Sequence, residues 1–328
     1  MRVLRLFAFV IAWMAAVLIG AWAFGAIYFD FPATGQFAAI LFVFVLLAAL
    51  VFVRRPLLKF AVVYGAFAIV VLWWFTLRPS NDRPWEPDVA ETAWAEINGD
   101  VVTIHNVRNC EYRTEADFTP RWETRTVRLS QITGIDVAID YWGSPWISHP
   151  IVSFQFADAL PVCFSIETRK TTGQTYSALR GLYRQYSLIY IVADERDSIR
   201  VRTNYRRGED VYLYHALLSQ AQARERFLEY LNSINKLRDH PHWYNAVTSN
   251  CTTSIRAQRS VNERAPWDWR MLFNGKMDEM LYEDHVIATG GLPFAELKQR
   301  SLINKRANAA DKDQDFSRLI REELPQGN

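Results

Sequence analysis

Acidic residues are nearly missing from the start of this chain. The first 79 residues hold one, Asp30, against six basic residues: Arg2, Arg5, Arg54, Arg55, Lys59 and Arg78. That is a balance of +5, whereas from Ser80 on 31 Lys and Arg face 34 Asp and Glu, a balance of −3. The formal charge of +2 over 328 residues therefore averages two unlike parts. The later part lacks the basic excess that phosphate binding needs, so no nucleic-acid partner is expected. Cysteine is scarce as well. There are three, Cys110, Cys163 and Cys251, and an odd number in an oxidising compartment leaves at least one free or paired between chains. Cys-x-x-Cys and His-Glu-x-x-His are absent, and His240-Pro-His242 has no third ligand at zinc-binding spacing, so the pair reads as a loop and no metal is expected. A Gly-x-Ser-x-Gly elbow and a phosphate-binding glycine loop are also missing, which excludes those hydrolase and nucleotide classes and leaves no cofactor to expect.

What the chain has in abundance is uninterrupted apolar sequence. Leu6 to Phe29, Phe31 to Val53 and Phe60 to Leu77 contain 24, 23 and 18 residues, and about 20 cross a bilayer core as a helix. The first run is too long for a signal-peptide core and two more follow at once, which predicts an anchor rather than a cleaved leader. Lys and Arg are retained in cytoplasmic loops. Arg2 and Arg5 before the first span, and Arg54, Arg55 and Lys59 between the second and third, predict that everything after Pro79 lies outside the cytoplasm. In a bacterium that means an inner-membrane, multi-pass protein whose outer domain is periplasmic.

Four regions follow from composition: an anchor of three transmembrane helices (1–79), a proline-marked linker and lead-in (80–100), an outer domain (101–303), and a polar tail with little order (304–328). In the outer domain Val101–Val107, Glu123–Leu129, Ile135–Tyr141, Ile147–Phe156, Val162–Arg169 and Leu188–Ala193 are rich in β-branched and aromatic residues between turn formers, which predicts strands. Ala216–Arg238 shows helical spacing, and a second helix is expected to begin near Asn250. Strands first and helices later predict an α+β domain.

Cys251 is the best candidate for a free thiol. It follows Ser249 and Asn250, either of which is a natural N-cap, and so falls in the first turn of a helix whose dipole favours a thiolate. The plainer alternative is a small residue packed at a helix start. The Asn250-Cys251-Thr252 sequon is too short a signal to use. For a base, strand parity puts His149 on the more polar face of its strand, with Ser153 and Gln155; Cys163, Ser165, Glu167 and Arg169 share a face of the next strand. If the two strands form a hairpin around Ala157 to Pro161, Glu167 or a neighbour holds the second nitrogen of His149. The alternative is an incidental histidine on a solvated face. Asp194-Glu-Arg-Asp197 reads as a charged turn, and Tyr141-Trp142, Trp146 and Trp267-Asp-Trp269 either enter the core or lie at headgroup level.

Taken in order, Ile147-Ser-His-Pro-Ile-Val-Ser-Phe-Gln-Phe156, Phe164-Ser-Ile-Glu-Thr-Arg169, Tyr190-Ile-Val-Ala-Asp-Glu-Arg-Asp197 and Asn250-Cys-Thr-Thr253 resemble the DUF4105 family, the Lnb type of bacterial lipoprotein N-acyltransferase, over roughly Val101 to Glu263. Pro150 departs from the Thr-like residue of that family. The resemblance implies a permuted papain-like (NlpC/P60-related) fold with histidine before cysteine, Cys251 as nucleophile, His149 as its base and Glu167 as the third member. Asn250, Thr252, Arg169, Tyr244 and Ser165 are expected around the site. It further implies ping-pong acyl transfer from a membrane phospholipid, through a Cys251 thioester, to the α-amine of a diacylated lipoprotein. Two rival readings use the same residues: a membrane-anchored papain-like hydrolase of the cell wall, and a non-enzymatic envelope protein with Cys251 in a disulfide.

Overall fold

The structure is a computed structural model that describes residues 2–325 except 265, 272 and 273. It divides into two compact units. The first comprises Met1–Ser80 together with Thr175–Ser187 and Trp243–Ala246. Its three helices, α1 (Arg2–Asp30), α2 (Gly35–Phe52) and α3 (Pro56–Thr76), are long and apolar enough to cross a membrane. They fall on the three apolar runs. Ala23, Ala26 and Ala39 are fully buried among them, since small residues let helix backbones approach closely where lipid offers no hydrophobic drive. Tyr183, from the inserted stretch 175–187, joins the same cluster. A Cβ on Gly25 would lie 1.9 Å from the Tyr183 hydroxyl, so only glycine admits this ring. Asp30 accepts hydrogen bonds from Trp74 Nε1 (2.8 Å) and Gln185 Nε2 (2.8 Å), and Arg184 stacks on Trp74 at 3.8 Å.

The second unit, Asn81–Gln174, Leu188–His242 and Val247–Asn328, is built on one mixed sheet. Its strands are β1 (Trp94–Asn98), β2 (Val101–Arg108), β5 (Trp122–Arg128), β6 (Ile132–Trp142), β7 (Ser148–Phe156), β8 (Val162–Arg169), β9 (Ser187–Ala193) and β10 (Glu209–His215). Their order is β1-β2-β9-β8-β7-β6-β10, with β5 paired to β2. A separate ribbon joins β3 (Glu111–Tyr112) to β4 (Phe118–Thr119). The six strands expected from sequence are present, and β1, β3, β4 and β10 are additional. β10 carries Glu209 and Asp210 at its start and His215 at its end, so its strand signal is confined to the four residues Val211–Tyr214.

The two sheet faces are covered differently. Helix α5 (Gln220–Asp239) begins four residues later than its apolar pattern suggests because Ser219 and Gln222 form a capping box. Phe227 and Tyr230 of this helix meet Phe154 and Phe164 with ring centroids 4.9–5.9 Å apart. The opposite face, which carries His149 and is expected to be the more polar one, is buried, against the alternative of a solvated face. Ala138, Ile151, Cys163 and Leu213 pack there against Ile199, Ile303, Ala307, Phe316 and Ile320. The residues from Asn304, expected as a poorly ordered polar tail, therefore form α9 (Asn304–Ala309) and α10 (Phe316–Leu319) and close the sheet. Asp194–Asp197 is likewise no exposed turn. Asp194 caps α4 (Glu195–Ser198), and its acids are buried against Arg125, Arg321 and Arg108. Helices α6 (Cys251–Ala257), α7 (Met277–Glu283) and α8 (Phe294–Ser301) complete a mixed α+β unit.

Candidate active site

Register builds the site. In the β6–β7 ladder Asp140 lies opposite His149, and the β7–β8 hairpin pairs Ile151 with Ser165; continued by two residues, it brings Glu167 beside His149. Alternation then places Asp140, His149, Ser165 and Glu167 on one face. Burial makes the polar groups there satisfy one another. His149 Nε2 lies 2.6 Å from Ser165 Oγ, and Ser165 Oγ donates to Glu167 Oε1 at 2.6 Å. Glu167 itself is 4.0 Å from the imidazole. It therefore acts on His149 through Ser165, the neighbour that touches the ring.

Arg202 fixes the charge of this chain. It sits in a π-helical turn, Val201–Tyr205, after α4, and its Nη2 donates to Glu167 Oε1 at 2.9 Å. Such turns recur at functional sites because they redirect a side chain. Despite burial, Arg202 holds the Glu167 carboxyl below its ordinary range. A carboxylate only accepts, so Ser165 must donate to it and accept from His149 Nε2–H. That assignment leaves His149 Nδ1 unprotonated, with its lone pair available. Burial, reinforced by Arg202, pushes the imidazole down to about 3, so the ring is neutral. Asp140 is the other neighbour of Arg202, 3.1 Å from Nε. Its Oδ1 and Glu209 Oε2 are buried without a donor, and burial pushes Asp140 up to about 8.

Cys251 begins α6, which packs against β7 and β8. Asn250 is the N-cap: its Oδ1 accepts from Thr253 N at 2.9 Å, and its own N–H donates to Thr253 Oγ1 at 2.9 Å. The three cysteines are free thiols, which removes the disulfide expected of a purely structural Cys251. Burial pushes the Cys251 thiol up, opposed by hydrogen bonding from Thr252 and Asn274. The sulfur is 3.7 Å from Thr252 Oγ1 and 3.6 Å from Asn274 Nδ2. Asn274 also accepts from Ser148 N at 2.9 Å and from Ser148 Oγ, at 2.5 Å, on its backbone carbonyl. One asparagine thus joins the thiol to the residue before His149. Both Asn274 and Arg202 escape sequence reasoning, since each lies in irregular chain and only the folded register gives it a partner.

Two expected residues serve elsewhere. Arg169 donates to the carbonyls of Val89 (2.9 Å) and Ala90 (2.6 Å) and to Asn81 Oδ1 (2.9 Å), and it stacks on Trp85; it fastens the lead-in segment. Tyr244 belongs to the membrane unit, where its amide donates to Tyr186 O at 3.0 Å. The tryptophans divide as well. Tyr141 is half-buried and donates to Asp278, whereas Trp142, Trp146, Trp267 and Trp269 are 38%, 53%, 56% and 53% exposed. Trp142 lies 6.4 Å from the His149 ring, and Gly275 N donates to Trp146 O at 3.1 Å, so exposed tryptophans lie next to His149 and to the Asn274–Gly275 turn. Among the described residues no group of three or more His, Cys, Asp or Glu is placed to hold a metal ion.

Against known proteins, the family model described as the Lnb N-terminal periplasmic domain matches residues 118–275, just under half of the chain. No curated protein and no solved structure matches. The matched stretch contains His149, Ser165, Glu167, Arg202, Cys251 and Asn274, and with the three apolar helices it supports an Lnb-type membrane protein with a periplasmic domain.

Proposed function

We propose that this protein is a thiol acyltransferase of the lipoprotein N-acyltransferase type, with a permuted papain-like domain held at the outer surface of the bacterial inner membrane. The observation that carries the reading is the neutral His149, hydrogen-bonded to Ser165 and through it to Glu167, on a strand whose preceding residue, Ser148, is tied by Asn274 to a free Cys251 thiol. Thiol and imidazole are both uncharged at rest, so proton transfer accompanies attack. His149 Nδ1 takes the Cys251 proton as the sulfur forms a bond to an ester carbonyl carbon. The carbon–oxygen bond breaks, and the departing alkoxide takes the proton back from His149, leaving a thioester and a lysolipid. An acceptor amine then attacks the thioester, His149 removes its proton, and the proton returns to the leaving sulfur. The acyl donor is a membrane phospholipid and the acceptor the α-amine of a diacylated lipoprotein. The exposed tryptophans Trp142 and Trp146, beside His149 and the Asn274–Gly275 turn, favour a lipid over a wall peptide, whose groove would be polar.

Intact mass after incubation with phospholipid tests this. We expect one fatty-acyl adduct on Cys251, released by neutral hydroxylamine and missing in Cys251→Ser. A Cys251→Ala protein that still N-acylates lipoproteins in cells would overturn the mechanism. Label on the phospholipid acyl chains identifies the donor; label that transfers only from the glyceryl ester of the lipoprotein itself would replace the donor and keep the thioester.

A further inference from the structure

We propose that Asn274 is a third catalytic residue of the Cys251 centre, its side-chain amide donating to the sulfur and stabilising the thiolate formed as His149 takes the proton. The proposal rests on the thiol chemistry of the preceding reading. The orientation of the amide is not ambiguous. Ser148 N–H can only donate, and it lies 2.9 Å from Asn274 Oδ1, so the other end of the amide, Nδ2, is the group 3.6 Å from Cys251 Sγ. The backbone is fixed too. Asn274 O accepts from Ser148 Oγ at 2.5 Å, and the next residue, Gly275, presses on the β6–β7 loop so closely that a Cβ there would lie 2.3 Å from Pro145 O and from the Trp146 carbonyl carbon. The donor is therefore held before the reaction begins, the condition under which it favours developing charge without reorganising. The sulfur is buried. A negative charge there has little water to stabilise it, and among the described residues Asn274 and Thr252 place polar side-chain atoms within hydrogen-bonding reach of the sulfur. Because Ser148 immediately precedes His149, the same amide also ties the thiol to the strand that carries the base.

The test is alkylation of Cys251 by iodoacetamide as a function of pH, read on the Cys251 peptide by mass spectrometry in the full-length protein in detergent micelles. Asn274→Asp keeps an acceptor for Ser148 N–H and so keeps the turn, but it replaces the donor by an acceptor. We expect its alkylation midpoint to move to higher pH and its rate at pH 8 to fall by about tenfold, from the lost donor together with the repulsion of the new carboxylate. Asn274→Ala should shift in the same direction by less. Ser148→Ala removes only the Ser148 hydroxyl bond to the Asn274 carbonyl and should leave the profile where it is. Unchanged midpoints in both Asn274 variants would overturn the proposal, as would an equal shift in Ser148→Ala, which would indicate loosening of the turn. Alkylation needs no lipid, so a shifted profile in a protein that never forms an acyl adduct would sustain the role of Asn274 while sinking the acyl-transfer reading.

Discussion

His149 is buried and neutral at a pH where a free histidine begins to take up a proton, and this links the site to stability. Its folded-state value near 3 lies below the unfolded value of 6.5. Between those values the unfolded chain binds the proton more readily, so stability is fully present above pH 6.5 and is lost as pH falls towards 3, by an amount on the order of a few kcal/mol. Asp140 has the opposite sign. Raised from 3.8 to about 8, it contributes stability at low pH that is lost as pH rises through 8. Thermal melts of His149→Gln should fall less steeply than the parent between pH 6.5 and 4, with the alkaline side unchanged; a variant as acid-labile as the parent would show that His149 does not titrate this way. The residues that a sequence reader can find here are those with a motif around them. Cys251 follows a capping asparagine and His149 sits in a strand of alternating parity. Arg202 and Asn274 have no such context, since an arginine in a π-helical turn and an asparagine in a short loop gain their meaning from what lies across the fold.

Among the elements, the strands were legible because β-branched and aromatic residues alternate along them, and α5 because its apolar residues recur at helical spacing. Residues 304–325 were not. Ala307, Ala310, Phe316 and Ile320 are four apolar residues among many polar ones, and what buries them is the sheet face they cover. That cover makes the His149-bearing face a second core and lets Arg321 reach Asp136 Oδ2, at 2.7 Å, and Glu195. Phe316 is fully buried, so Phe316→Ala should cost about 3–5 kcal/mol. The accompanying sign is specific: Cys163, in the same cluster, should become reactive to a small maleimide before Cys110 does. If the melting temperature is unchanged and Cys163 stays protected, the C-terminal helices do not close the sheet in solution.

For the molecule as a whole, the uneven charge of the first 79 residues orients the chain. Arg54 and Arg55 lie between α2 and α3, and Lys59 in the first turn of α3, the segment expected to be cytoplasmic. Alkaline phosphatase fused after residue 79 should be active in cells, and a fusion within 53–59 should not; the reverse pattern would put the thiol on the cytoplasmic side. The match to a periplasmic domain family agrees with the first outcome.

The membrane unit is not made of the first 80 residues alone, since Thr175–Ser187 and Trp243–Ala246 are built into it. Tyr183 fills the space that Gly25 leaves in α1, and Arg184 and Gln185 donate to Asp30. The consequence concerns shedding. A protease that cut the chain at Ser80 would sever one connection, yet the fragment bearing the thiol would stay clamped to the spans through the 175–187 stretch. The thiol-bearing fragment is thereby retained by noncovalent packing within the membrane unit as well as by the peptide bond, and nicked protein should sediment with membranes until detergent or denaturant dissolves that packing.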